Sequence, residues 1–212
     1  MLKYQIVKAE NQKNIVILLH GYGSSAYDII GTTHLFTKLA PSTTFIAPFA
    51  PLPCSLGFGQ AWFPISENPT TGRLEVTDLK SVAKANKILK EFIQYVSSTY
   101  HTDVNHIALF GFSQGGIMAL FQGLHSRQQF ASIVAHSTIF FDDPLTTFNK
   151  NQNILLIHGK QDEVLPFDMF EKTKKFLKAK HITFQEFTKI AMGHNVDNES
   201  LQVAEKFFFK HF

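Results

Sequence analysis

The chain has 212 residues, 44% hydrophobic and 17% charged, which excludes a disordered protein and suits one large core better than two domains. Its net charge of +3 is spread along the chain without a basic cluster, so the pattern carries no nucleic-acid footprint. A single cysteine, Cys54, excludes an intramolecular disulfide, the opening MLKYQIVKAENQK lacks the apolar centre of a signal peptide, and no uncharged apolar run approaches the ~18 residues of a membrane helix. The expectation is a soluble cytoplasmic domain.

Residues 15–19 are the first continuous apolar run, of strand length and closed by His20-Gly21; residues 44–47 are the second. Residues 48–72 differ. They are rich in proline, glycine and aromatic residues without a period, the mark of a functional or mobile loop. From Asp78 to about Tyr100, Leu79, Val82, Ala83, Ala85, Ile88, Leu89, Phe92, Ile93 and Val96 share one broad helical face, with Asp78 placed to cap its start. Residues 107–110 form a third strand and run into GFSQGG. A helix is expected over 117–124, strands over 131–135 and 154–157, a lysine-rich helix over 167–179, a weaker strand over 182–187 and a last helix over 198–209. The triple Phe207-Phe208-Phe209 suits a helix end packed on the core. Apolar runs alternating with helices predict an α/β fold with a mostly parallel sheet covered on both faces, as one domain over 1–212.

GFSQGG is a G-x-S-x-G pattern with a strand before it and a helix after it. A turn this tight leaves no room for side chains at Gly111 and Gly115. It also forces Ser113 into a strained backbone with its hydroxyl exposed above a helix N-terminus, which favours developing negative charge. A serine hydroxyl needs a base, and the base an orienting carboxylate, in the chain order serine, acid, histidine. His194, in Ala-Met-Gly-His-Asn between the last strand and the last helix, is the candidate base. His181 has no loop to present it, and His211 lies at the chain's end. Asp162, in the turn after the strand 154–157, is the candidate acid, with Glu163, Asp142 and Asp143 as rivals. An oxyanion needs two donors. The N–H of Gln114 follows the nucleophile, and the Gly-rich His20-Gly21-Tyr22-Gly23 after the first strand offers the Tyr22 N–H. No Gly-Lys-Ser/Thr follows it, so it is not a phosphate loop.

Four separated motifs, Leu-Leu-His-Gly-Tyr-Gly, Gly-Phe-Ser-Gln-Gly-Gly, His-Gly-Lys-Gln-Asp-Glu-Val-Leu-Pro and Gly-His-Asn, together resemble the phospholipase/carboxylesterase family of α/β-hydrolases, which includes the acyl-protein thioesterases. Ala50-Pro51-Leu52-Pro53-Cys54 followed by Gly57-Phe58-Gly59-Gln60-Ala61-Trp62-Phe63 looks like the bacterial branch. The resemblance implies a cytoplasmic serine esterase or thioesterase with no metal and no organic cofactor. Its triad would be Ser113, Asp162 and His194, and its oxyanion donors Tyr22 and Gln114. Tyr22 replaces a small aliphatic residue, which spares a backbone donor and narrows the pocket. The implied partners are a small acyl ester or thioester, with lysophospholipid and acylated protein in range, and often a second copy of the chain. Leu52, Leu56, Phe58, Trp62 and Phe63 are the candidate acyl-groove residues. The alternatives are a lysophospholipase, or a non-catalytic binding module on the same fold.

Overall fold

A computed structural model of the chain describes residues 1–39, 41–67, 74–75, 78–140 and 147–212. The strands are β1 (Tyr4–Val7), β2 (Asn14–Leu19), β3 (Thr43–Pro48), β4 (Leu52–Pro53), β5 (Gln60–Ala61), β6 (Ser66–Glu67), β7 (Leu74–Glu75), β8 (Ile107–Phe112), β9 (Ser132–His136), β10 (Ile154–Gly159) and β11 (Gln185–Lys189). The helices are α1 (Ala26–Ile30), α2 (Leu79–Thr99), α3 (Gln114–His125), α4 (Phe167–Ala179) and α5 (Asn198–His211). Seven strands make one sheet in the order β1-β3-β2-β8-β9-β10-β11. Only β1 runs antiparallel to its neighbour. β4 and β5 pair with each other, as do β6 and β7.

The continuous apolar runs become central strands because both faces are covered. In β2, Ile15, Ile17 and Leu19 join a core layer with α2, α3 and α4, while Val16 and Leu18 join the opposite layer with α1 and α5. The same alternation divides Ile107 and Leu109 from Ala108 and Phe110 in β8. On α2 the Asp78 carboxylate accepts the Lys80 N–H at 2.9 Å, the expected cap. Val82, Ala85, Leu89, Phe92, Ile93 and Val96 form its buried face, while Leu79 and Ala83 fall outside it.

The differences from the sequence reading have local causes. β1 is four residues, three half-buried and Val7 exposed, and α1 is five residues, each too short to show a period. α3 starts at Gln114 rather than 117, because Gly115 and Gly116 are helical residues packed against neighbouring chain. β11 starts at Gln185 rather than 182: Ile182 closes the turn from α4, its N–H donating to the Leu177 carbonyl at 2.9 Å. Asp142 and Asp143 lie outside the described residues, as do 68–72 of the irregular loop. No helix among the described residues is long and apolar enough to cross a membrane.

Of the three consecutive phenylalanines on α5, Phe207 and Phe208 are buried and Phe209 is 68% exposed. Phe208→Ala is expected to destabilise the fold by about 3–5 kcal/mol, and Phe209→Ala by no more than about 0.5 kcal/mol, in urea unfolding. Equal losses would mean the helix is rotated from this packing.

Candidate active site

The turn between β8 and α3 carries Ser113 at φ +53°, ψ −118°, a region that side chains disfavour. Surrounding bonds hold it there. The Ser113 N–H donates to the His136 carbonyl at 2.9 Å, and its own carbonyl accepts from the Gly116 N–H at 2.9 Å and the Thr138 hydroxyl at 2.8 Å. A Cβ at Gly111 would sit 2.1 Å from the Gly115 oxygen, and one at Gly115 would sit 2.0 Å from the Leu19 oxygen. The pattern therefore has a contact behind it: the first turn of α3 is pressed onto the end of β2.

His194 follows β11 and reaches back to this turn. Its Nε2 lies 2.9 Å from the Ser113 Oγ, and its Nδ1 lies 2.8 Å from Asp162 Oδ2. The other oxygen, Oδ1, accepts the Val164 and Leu165 N–H groups at 3.0 and 2.7 Å. Burial pushes the Asp162 carboxyl up, but the His194 and Leu165 hydrogen bonds outweigh it and hold it below the ordinary carboxylate range. An ionised carboxylate only accepts, so His194 Nδ1 carries the proton and Nε2 presents its lone pair to the serine.

The loops that carry Asp162 and His194 are joined by backbone. The Lys160 N–H donates to the Lys189 carbonyl at 2.8 Å and the Gln161 N–H to the Met192 carbonyl at 3.1 Å. Gly159 permits this, since a Cβ there would stand 2.0 Å from the Met192 oxygen. Asp162, Gly193 and His194 border a cavity of about 730 Å³ whose other walls include Val164 and Phe167. Of the rivals, Glu163 is exposed, His181 stands in an exposed turn, and His211 packs on Phe207 in the last turn of α5.

The Tyr22 loop lies beside the serine: a Cβ on Gly21 would be 3.3 Å from Ser113 Cβ. Among the described residues, neither the Tyr22 nor the Gln114 N–H has an acceptor. Sequence reasoning missed what fixes this loop. His20 is fully buried, and burial pushes its imidazole down. Its Nδ1 donates to the Gly21 carbonyl at 2.8 Å and its Nε2 accepts the Ala50 N–H at 3.2 Å, which defines a neutral ring with one tautomer. The Gln114 side chain does as much as its backbone. Its Oε1 accepts the Trp62 N–H at 2.8 Å and its Nε2 donates to the Phe63 carbonyl at 2.7 Å. The one signal for His20 was its place before glycine at a strand end. The Gln114 clamp left none.

The five expected groove residues fall in different places. Trp62 and Phe63 are 1% and 0% exposed. A buried indole N–H needs an acceptor, and Trp62 finds the His20 carbonyl at 2.9 Å. Through that bond and its ring contact with His20, Trp62 braces the loop after β2. Leu52 and Trp62 line a groove of about 400 Å³ with Pro51, Pro64, Ala85 and Ile88, which none of Ser113, Asp162 and His194 borders. Leu56 and Phe58 are exposed on a tip with Gly57 and Gly59 at φ +83° and +65°, and they approach Gly23 of the loop after β2. The Tyr22 hydroxyl bonds to Ser55 on that tip.

A serine on a strained strand-to-helix turn, above a mostly parallel sheet with helices on both faces, defines the α/β-hydrolase class. Residues 4–212 match the family model described as Phospholipase/Carboxylesterase, and the chain belongs to that family of ester hydrolases. Acyl-protein thioesterase 1 of Emericella nidulans is 26% identical over 216 residues, covering 91% of this chain and 87% of that protein. Its counterpart from Cryptococcus neoformans is 28% identical over 171 residues, 76% of this chain and 71% of the relative. Esterase PE8 superposes with a TM-score of 0.88 at 28% identity, covering 100% and 99% of the two chains. The Bacillus cereus carboxylesterase, at 19% identity and a TM-score of 0.83 over 100% and 95%, shares the fold.

The Gln114 clamp is open to test. Gln114→Ala leaves the buried Trp62 N–H and Phe63 carbonyl without their partner and is expected to cost about 1–3 kcal/mol in urea unfolding, with a fall in ester hydrolysis. Unchanged stability would show that the clamp contributes nothing.

Proposed function

We propose that this ester hydrolase is a serine carboxylesterase and thioesterase that acts on short- to medium-chain acyl substrates through Ser113, His194 and Asp162. The observation that carries the reading is the unbroken chain from Asp162 Oδ2 to His194 Nδ1 at 2.8 Å and from His194 Nε2 to Ser113 Oγ at 2.9 Å. His194 takes the hydroxyl proton as Ser113 attacks the acyl carbonyl. The Tyr22 and Gln114 N–H groups hold the oxyanion. The alcohol or thiol departs with the proton from His194, leaving an acyl-Ser113 ester. Water, deprotonated by His194, attacks that ester and releases the carboxylic acid and free Ser113. Asp162 stays ionised and keeps the imidazole in its tautomer.

Two features support the substrate class. Leu56 and Phe58 are exposed apolar side chains beside the oxyanion loop, suited to an acyl chain. The fungal relatives carry the name acyl-protein thioesterase 1, which brings acylated protein in as a candidate substrate alongside small esters.

Hydrolysis of p-nitrophenyl esters from acetate to octanoate, with fluorophosphonate labelling, tests the machinery. Ser113→Ala is expected to abolish both, and Asp162→Asn to lower kcat about 10⁴-fold through the wrong histidine tautomer. A folded wild type that neither turns over nor labels would leave the binding-module reading. Phe58→Ala is expected to raise KM for octanoate more than for acetate. Equal effects on both would remove Phe58 from the groove.

A further inference from the structure

One buried imidazole at the site has no part in the mechanism above. His158 is the residue before the last in β10, and its side chain is wholly excluded from solvent. Its Nε2 lies 2.8 Å from the Leu165 carbonyl and 3.5 Å from Asp162 Oδ2. A carbonyl can only accept, so the proton is on Nε2, and Nδ1 is left with a lone pair that has no partner among the described residues. Leu165 is bonded from both sides. Its N–H donates to Asp162 Oδ1 at 2.7 Å while its carbonyl receives the His158 N–H. The ring is stacked on Phe170 of α4, with centroids 4.8 Å apart and planes at 21°, so it has one available orientation.

From this geometry we infer that His158 is the positioning residue of the acid: its Nε2–H closes the 162–165 turn and reaches toward the same carboxylate oxygen that holds His194. This rests on the assignment of Asp162 and His194 in the proposed function. Burial lowers the His158 imidazole against the opposing pull of the Leu165 hydrogen bond and of Asp162, so the ring is a neutral donor and adds no charge to the site. The titratable groups near it are Asp162 and His194 from the two loops and His136 from β9, itself pushed down to about 3 by burial. From α4 come the rings of Phe170 and Phe167, with Lys174 and Lys160 seated over them. Without the His158 N–H, Oδ2 loses the neighbour that shares its negative charge, and the turn carrying it loosens. The imidazolium formed during turnover is then attracted more strongly but held less well.

His158→Phe keeps the stack on Phe170 and deletes the N–H, while His158→Gln returns an amide N–H near the Nε2 position. The assay is p-nitrophenyl butyrate hydrolysis against pH, with the low-field proton resonance of the His194–Asp162 hydrogen bond recorded in wild-type and Ser113→Ala backgrounds. His158→Phe is expected to lower kcat about 10- to 100-fold, the cost of a misplaced catalytic group, with KM little changed. The acid limb of the profile should move to higher pH and the resonance should shift, and His158→Gln should restore most of each. If His158→Phe does not fold, His158→Asn, whose amide reaches only the Nδ1 position, takes its place. A folded variant with the wild-type acid limb and resonance would overturn the inference, as would a folded His158→Gln that restores neither. Wild-type turnover in Ser113→Ala would instead sink the triad. The resonance would still report whether His158 holds the carboxylate.

Discussion

Everything at the site depends on how closely the start of α3 is pressed against the end of β2. Gly115 meets the Leu19 carbonyl at a distance no Cβ could share, and Gly111 meets Gly115 in the same way. That approach bends the chain at Ser113 into its strained φ and ψ, lifts the hydroxyl clear of the helix, and brings the loop after β2 alongside it. The strain is of the order of 1–3 kcal/mol and persists because the sheet and the bonds to His136 and Thr138 over-determine the turn.

The remaining parts are held by backbone contacts between loops rather than by ion pairs. Gly159 against Met192 joins the Asp162 loop to the His194 loop, as Gly59 against Gly23 joins the 54–59 tip to the loop after β2. Gln114 extends the second junction by clamping Trp62 and Phe63 through their main chain. Surface charge does enter at one point: Lys189 pairs with Asp197 and Glu199, tying β11 to the start of α5 across the loop that carries His194. Substitutions at these junctions reach the reacting atoms without touching substrate.

The sheet, its central strands and the long helices were legible because buried parallel strands write themselves as continuous apolar runs. The meeting of Ser113, Asp162 and His194 was legible because each sits in a turn after a strand of the sheet. Reading failed where tertiary contact decides. Trp62 and Phe63 stand in a loop without a period, and nothing in the sequence showed that they turn inward, Trp62 to the His20 carbonyl and both main chains to the Gln114 amide. Thr138 and the Gln114 amide are ordinary polar residues until the fold sets them against the turn. His20 and His158 each precede a glycine at a strand end, a shared pattern whose meaning appears only when both rings prove to be buried.

The strand order also divides the sheet into two groups. β8, β9, β10 and β11 pair in sequence, and β1, β2 and β3 form a separate group, so the two halves meet along the single β2–β8 ladder, where Ile15 pairs with Ile107. That pairing joins segments far apart in the sequence, and its register aligns the end of β2 with the end of β8. Ser113 follows the end of one side of that seam and the His20–Gly23 loop follows the end of the other, so the site is assembled from both groups of strands and a shift of register between them would part its two walls.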